Sequence, residues 1–206
     1  MQGDKFMINC IEQESLQIRR SVYGLSDTPM VSDRCLIDTV KSCLKHCPSP
    51  FNAQTARIAV LFADKHHLFW QTVWENMQPL LAPEKYAAAK QRLDGFAAAY
   101  GTILFFIDNH ALAELKKQYP LYKKNMHDWV MQENGILQYM IWQTLAENEE
   151  GASLQHYNEL ISKQINKLFK LPNSWKIVAQ MPWGSIIKNP PEKSFLPLDL
   201  RIRVLK

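Results

Sequence analysis

Along "SDRCLIDTVKSCLKHC" the apolar positions Leu36, Val40, Cys43, Leu44 and Cys47 recur at spacings of three and four. That period predicts an amphipathic helix, opened by Ser32-Asp33 as a good N-cap pair. An earlier helix is expected over residues 4–18. The pattern then changes. "ARIAVLFA", 56–63, is β-branched and aromatic and suits a buried strand. Asp64 is expected to cap a helix through about Leu81, with Phe69, Val73, Met77 and Leu80 along one side. Pro83 at a first helical position opens another helix, which ends at Gly101. "TILFFID", 102–108, is so apolar that both its faces should be covered.

The longest helix is expected from His127 to about Asn148, apolar on nearly every side. Such a helix belongs inside a large core or at a subunit interface, and its expected place is the middle of a dimer. A strand "GASLQHY", a helix capped by Asn158, and a strand "WKIVAQMPWG" ended by Pro182 and Gly184 follow. The tail is proline-rich, and the alternation in "LRIRVLK" predicts a last strand with one wet face, reaching across the body or a neighbouring subunit. Several helices separate the strands without regular βα alternation. The expected fold is therefore α+β, a small mixed sheet flanked by helices.

At 206 residues and 47% hydrophobic the chain is expected to form one domain. No apolar run of about 18 residues and no leader pattern occurs, so a cytoplasmic protein without a membrane span is expected. The net charge of +4 is spread along the chain rather than gathered on one arm, which gives no support to nucleic-acid binding. Cys10, Cys35, Cys43 and Cys47 do not have zinc-knuckle spacing and read as free, packed thiols. Only seven glycines occur, with neither a dinucleotide fingerprint nor a P-loop. Any phosphate must be held mainly by side chains.

Three stretches carry candidate chemistry. In "RRSVYGL", Arg19, Arg20 and Ser21 offer charge-assisted donors to an anion, as do Lys193, Arg201 and Arg203 near the end of the chain. The same arginines also suit a solvated helix end. In "CPSPFNAQTAR", Asn52 and Gln54 present amides that can read the edge of a heteroaromatic ring, or belong to a prolyl turn. In "GASLQHYN", Gln155, His156 and Tyr157 gather after a strand, and His156 suits either acid/base chemistry or a structural role. His66 and His67 are adjacent and so do not share a helix face.

Taken in order, "RRSVYGL", "PSPFNAQTARIAVLF", "AAAYGTILFF", "YPLYKKN", "GASLQHYN", "SWKIVAQMPWG" and "EKSFLPLDLRIRVLK" resemble the FMN-dependent nitroreductase family, and most of all its fatty-acid-repression type branch. The likeness runs from about residue 15 to the end. It implies an intertwined homodimer with an extended C-terminal tail and FMN at the subunit interface. By position, Arg19 and Ser21, with Arg20 beside them, match residues that hold the FMN phosphate, and Lys193 and Arg201 return to it. Asn52 and Gln54 match the amides at the pyrimidine edge of the ring, and Leu154, Gln155 and His156 the segment along N5. Tyr23 stands where many members carry a lysine near N1 and O2, leaving Arg20 to supply a cation there.

The implied activity is hydride transfer from NADH or NADPH to a nitroaromatic, quinone or similar small-molecule acceptor by a ping-pong mechanism, with the cofactor carrying the chemistry and no catalytic protein residue or metal. The branch also suggests an alternative: a flavin-binding regulatory or stress-response protein with little turnover.

Overall fold

The strand-like runs meet in one sheet. A computed structural model describes residues 13–205. In it β1 (Gly24–Ser26), β2 (Ala56–Phe62), β3 (Gly101–Asp108), β4 (Glu150–Ala152) and β5 (Trp175–Lys188) form the order β1-β5-β3-β2, with β4 also paired to β5. Every ladder is antiparallel, which corrects the expected mixed sheet; the parallel pairing is confined to an isolated bridge, Ser21 to Ala152. The reason lies in the connections. Two helices, α3 (Ala63–Met77) and α4 (Tyr86–Ala97), join β2 to β3, and two passes return the chain in the opposite sense.

The remaining helices are α1 (Gln13–Ile18), α2 (Asp33–His46), α5 (Asn109–Gln118), α6 (Met126–Glu147), α7 (Asn158–Ile161) and α8 (Ile165–Leu168). They cover the two faces of the sheet. Along β3 the side chains alternate: Ile103, Phe105 and Ile107 join a core built with α2, α5 and α6, while Leu104 and Phe106 join one built with α3, α4, α7 and α8. The expected coverage of both faces is found, since residues 101–107 are all buried.

Ser32 caps α2 as expected, its hydroxyl accepting from Cys35 N at 3.3 Å. Cys43 is buried on the inner face of α2; Cys47, just past its end, is partly buried. Other boundaries move. Phe62, not Asp64, stands at the start of α3, and Asp64 lies in the first turn, where a carboxylate suits the helix dipole. Pro79 turns the end of that helix into a 3-10 segment, Gln78–Leu80, and Leu80 is exposed. Asn158 begins α7 rather than capping it, because its amide donates to Val178 O at 2.7 Å.

Pro182 and Gly184 do not end the last strand. Both are built into β5, and a Cβ on Gly184 would lie 2.2 Å from Ser26 O, so this glycine marks a close backbone approach. The strand expected from "GASLQHY" is short, Glu150–Ala152, and β1 lies in a stretch with no strand signal. No strand forms at 200–205, where a 3-10 turn at Leu198–Leu200 precedes exposed Ile202, Val204 and Leu205. Alternation makes a strand only where a sheet edge pairs it. Of the helix expected at 4–18, residues 13–18 are helical, and the rest, with Cys10, lies outside the described residues.

Candidate functional site

Arg19 and Arg20 follow directly on α1, and the chain then runs beside β4. Ser21 bridges Ala152, and Val22 N donates to Ala152 O at 2.9 Å. The "RRS" and "GAS" stretches, more than a hundred residues apart, are thus held together by backbone. The Arg19 guanidinium stacks over the Trp142 ring of α6, 4.5 Å from its centroid. Arg20 donates from Nη2 to the carbonyl of Pro191 and so reaches the C-terminal tail. A cavity of 940 Å³ opens here, lined by Arg19, Arg20 and Lys193, one carboxylate, Glu192, and apolar Leu16 and Phe195. Lys193 Nζ lies 5.4 Å from the Phe195 ring centroid.

Three cations against one carboxylate form a donor set fit for a phosphate monoester, which takes paired guanidinium bonds and a point charge. Arg201 is exposed, outside the lining of this cavity; Tyr23 is exposed as well and lies 6.3 Å from Phe96, ring to ring. Among the sequence-expected anion ligands, the fold therefore gathers Arg19, Arg20 and Lys193 around one space.

The amide pair sits on a backbone of unusual shape. Phe51, Asn52 and Gln54 have φ of 52, 55 and 49°, left-handed values that cost a non-glycine residue. The run is held by short contacts. Ser49 Oγ accepts from Gln54 N at 3.0 Å, and Gln54 Nε2 donates to Asn52 Oδ1 at 3.3 Å. The turn is thus capped by serine, while the two amides meet each other and remain exposed. Phe51 stacks on Tyr119 at 3.9 Å, with Trp129 and Tyr122 nearby, beside a second cavity of 450 Å³.

The third stretch is pinned by a residue that sequence reading missed. Gln180, fully buried in β5, exchanges backbone bonds with Gln155 at 2.7 and 2.9 Å, and its Oε1 accepts from Tyr157 N at 2.8 Å. Its position as one amide in an apolar strand was the available signal. Leu154 packs against the core, Gln155 Nε2 donates to Ser153 Oγ at 3.1 Å, and His156 is exposed.

Two buried carboxylates were also missed. Glu133 of α6 accepts from Thr55 Oγ1 at 2.7 Å and from Ala56 N at 3.0 Å. Glu150 accepts from Val31 N at 3.1 Å through Oε1, and burial pushes its carboxyl above the usual range, its Oε2 having no hydrogen-bond partner among the described residues. Cys47 Sγ lies 3.4 Å from Glu133 O, and burial, then the Glu133 charge, push its thiol up to about 11. No described helix is long and apolar enough to cross a membrane.

With this geometry in hand, comparison with known proteins is specific. The sequence model of the nitroreductase family matches residues 16–185. The putative nitroreductase HBN1 of Saccharomyces cerevisiae is 27% identical over 193 residues, covering 92% of this chain and 95% of that protein. The nitroreductase FRM2 of the same yeast is 26% identical, covering 86% and 89%. Among solved structures, nitroreductase CinD from Lactococcus lactis in complex with chloramphenicol superposes with a TM-score of 0.86 at 36% identity, covering 94% of this chain and 99% of that one. The same enzyme in complex with 4-nitrophenol gives 0.83 at 38%. Seven sequence stretches, an antiparallel sheet between two helical layers and a family match over most of the chain agree: this protein belongs to the nitroreductase family.

Proposed function

We propose that the chain is a single nitroreductase domain acting in the cytoplasm as an FMN-dependent NAD(P)H oxidoreductase of the nitroreductase or quinone-reductase type, with ping-pong kinetics. The observation that carries this reading is the meeting of Arg19, Arg20 and Lys193 around one 940 Å³ cavity. In a family member lacking glycine-rich phosphate loops, such a cluster is the means available for holding FMN's phosphate. When bound, FMN supplies two-electron hydride chemistry between nicotinamide and acceptor.

The chain's own residues bind and orient. Arg19 and Lys193 would neutralise the phosphate and Ser21 would donate a hydroxyl; Arg201, outside the cavity lining, would have to be brought to it by the tail. Asn52 and Gln54 would present their amides to the pyrimidine edge of the ring, and Leu154, Gln155 and His156 would supply the segment near N5. Arg20 would supply near N1 and O2 the cation that Tyr23 does not, a preorganised donor suited to the negative charge of a reduced flavin. Acceptors are small and planar, nitroaromatics or quinones, and the complexes of CinD with 4-nitrophenol and chloramphenicol support that class.

A homodimer fits the exposed apolar side chains of Met131, Ile136 and Tyr139 on α6 and of Phe195, Leu196, Leu198 and Leu200 in the tail. A second copy of the chain would cover them.

The test is spectroscopic. Purified protein is expected to be yellow, or to become so with added FMN, and to bleach anaerobically with NADH or NADPH and recover with 4-nitrophenol or a quinone. A colourless protein that takes up no FMN overturns the reading. Bound FMN that neither nicotinamide reduces would favour a regulatory role.

A further inference from the structure

Glu133 is 3% exposed, makes no ion pair among the described residues, and lies on the side of α6 that faces the amide-bearing loop. Its two oxygens grip consecutive residues, Thr55 through the hydroxyl and Ala56 through the backbone N–H. Those residues stand immediately after Phe51, Asn52 and Gln54 with their left-handed φ values. Such a run persists only where surrounding contacts over-determine it. Upstream the loop is fixed by Ser49 and the Phe51–Tyr119 stack. Downstream it is fixed by Glu133, by Arg57 donating to Gln54 O at 2.7 Å, and by Asp108 N donating to Thr55 O at 2.9 Å.

Burying a carboxylate without a cation is costly. A valine at 55 and an apolar side chain at 133 would serve packing alone. We infer that Glu133 is a positioning residue: by clamping Thr55 and Ala56 it holds the Asn52 and Gln54 amides in the strained orientation in which they meet the flavin ring. This rests on the FMN reading above.

Glu133→Leu, Glu133→Gln and Thr55→Val separate the roles, each measured for FMN affinity, FMN midpoint potential and amide hydrogen exchange of residues 52–56 in the flavin-free protein. Glu133→Leu is expected to weaken FMN binding by roughly tenfold, the scale of one neutral amide hydrogen bond to the ring lost as the loop loosens. It is also expected to lower the potential and to speed exchange at 52–56. Glu133→Gln, which keeps one acceptor, should recover part of each, and Thr55→Val should give a smaller shift if the leucine variant fails to fold. Glu133→Leu combined with Asn52→Ala should weaken FMN binding by less than the product of the two single-variant factors, since Glu133 acts in part through Asn52. Unchanged affinity, potential and exchange in Thr55→Val and Glu133→Gln, or additive effects with Asn52→Ala, would overturn the inference while leaving the FMN reading intact. Wild-type protein that binds no FMN would overturn both, whatever the exchange rates.

Discussion

Acidification should loosen this protein through one imidazole. His66 is fully buried on α3, with Nε2 3.1 Å from Ala97 O and Nδ1 2.8 Å from Thr102 Oγ1, which also accepts from Trp70 Nε1 at 2.9 Å. A carbonyl only accepts, so Nε2 carries the hydrogen, and the Thr102 hydroxyl spends its own on Nδ1. A second ring proton has no place in that chain. Burial lowers the imidazole to about 4, the Ala97 carbonyl opposing this and His67 adding a little.

The sign follows from linkage. The unfolded chain takes up the proton near pH 6.5 and the folded one only near 4, so the contribution is whole above about 6.5 and lost as pH falls toward 4. A gap of that size is about 3 kcal/mol when complete, of which about 2 kcal/mol has gone by pH 5. For a chain of this size that is roughly 4–8 °C in melting temperature.

The assay is urea unfolding of flavin-free protein at fixed concentration between pH 7.5 and 5, wild type against His66→Gln. The variant should start lower and lose about 2 kcal/mol less on acidification. Equal pH slopes, or a His66 resonance titrating above pH 6, would refute the reasoning.

Arg19→Ala should weaken FMN binding by about 1.5–3 kcal/mol, the worth of a bond to a charged group, as read by fluorescence titration; unchanged affinity would move the phosphate elsewhere. Gly184→Ala should cost about 1–3 kcal/mol, because its Cβ would stand 2.2 Å from Ser26 O and 3.0 Å from Tyr100 N; thermal denaturation within 1 °C of wild type would contradict the close approach.

Much of this was legible before any coordinates. The run 102–108 read as a covered strand and is one, and the period in "CLIDTVKSCLKHC" read as a helix with Cys43 and Cys47 on its apolar face, of which Cys43 is buried on it and Cys47 falls just past its end. His66 and His67 fell apart as adjacency requires, one buried and one exposed. What local pattern missed depends on partners far along the chain. Three residues of β1 become a strand because β5 is there to pair them, and Gly184 reads as a stop until Ser26 is found against it. The phosphate candidates were visible as residue types. Their meeting across 170 positions was suggested only by likeness to a family. Glu133 and Gln180 gave the faintest signal, one polar residue in an apolar run, since their partners are mostly backbone groups that no side-chain pattern reveals.

The wiring of β5 also sets a timetable. β1, β3 and β4 all pair with it, and among the described strands it is the last in chain order. On a ribosome, β2 and β3 can find one another early, but the sheet's central seam stays open until residue 188 has emerged. During that interval β3, seven buried residues in a row, has an unpaired edge and invites wrong partners. The sheet is thus completed only once β5 has emerged, and a nascent chain stalled before residue 175 keeps the edge of β3 open to wrong partners.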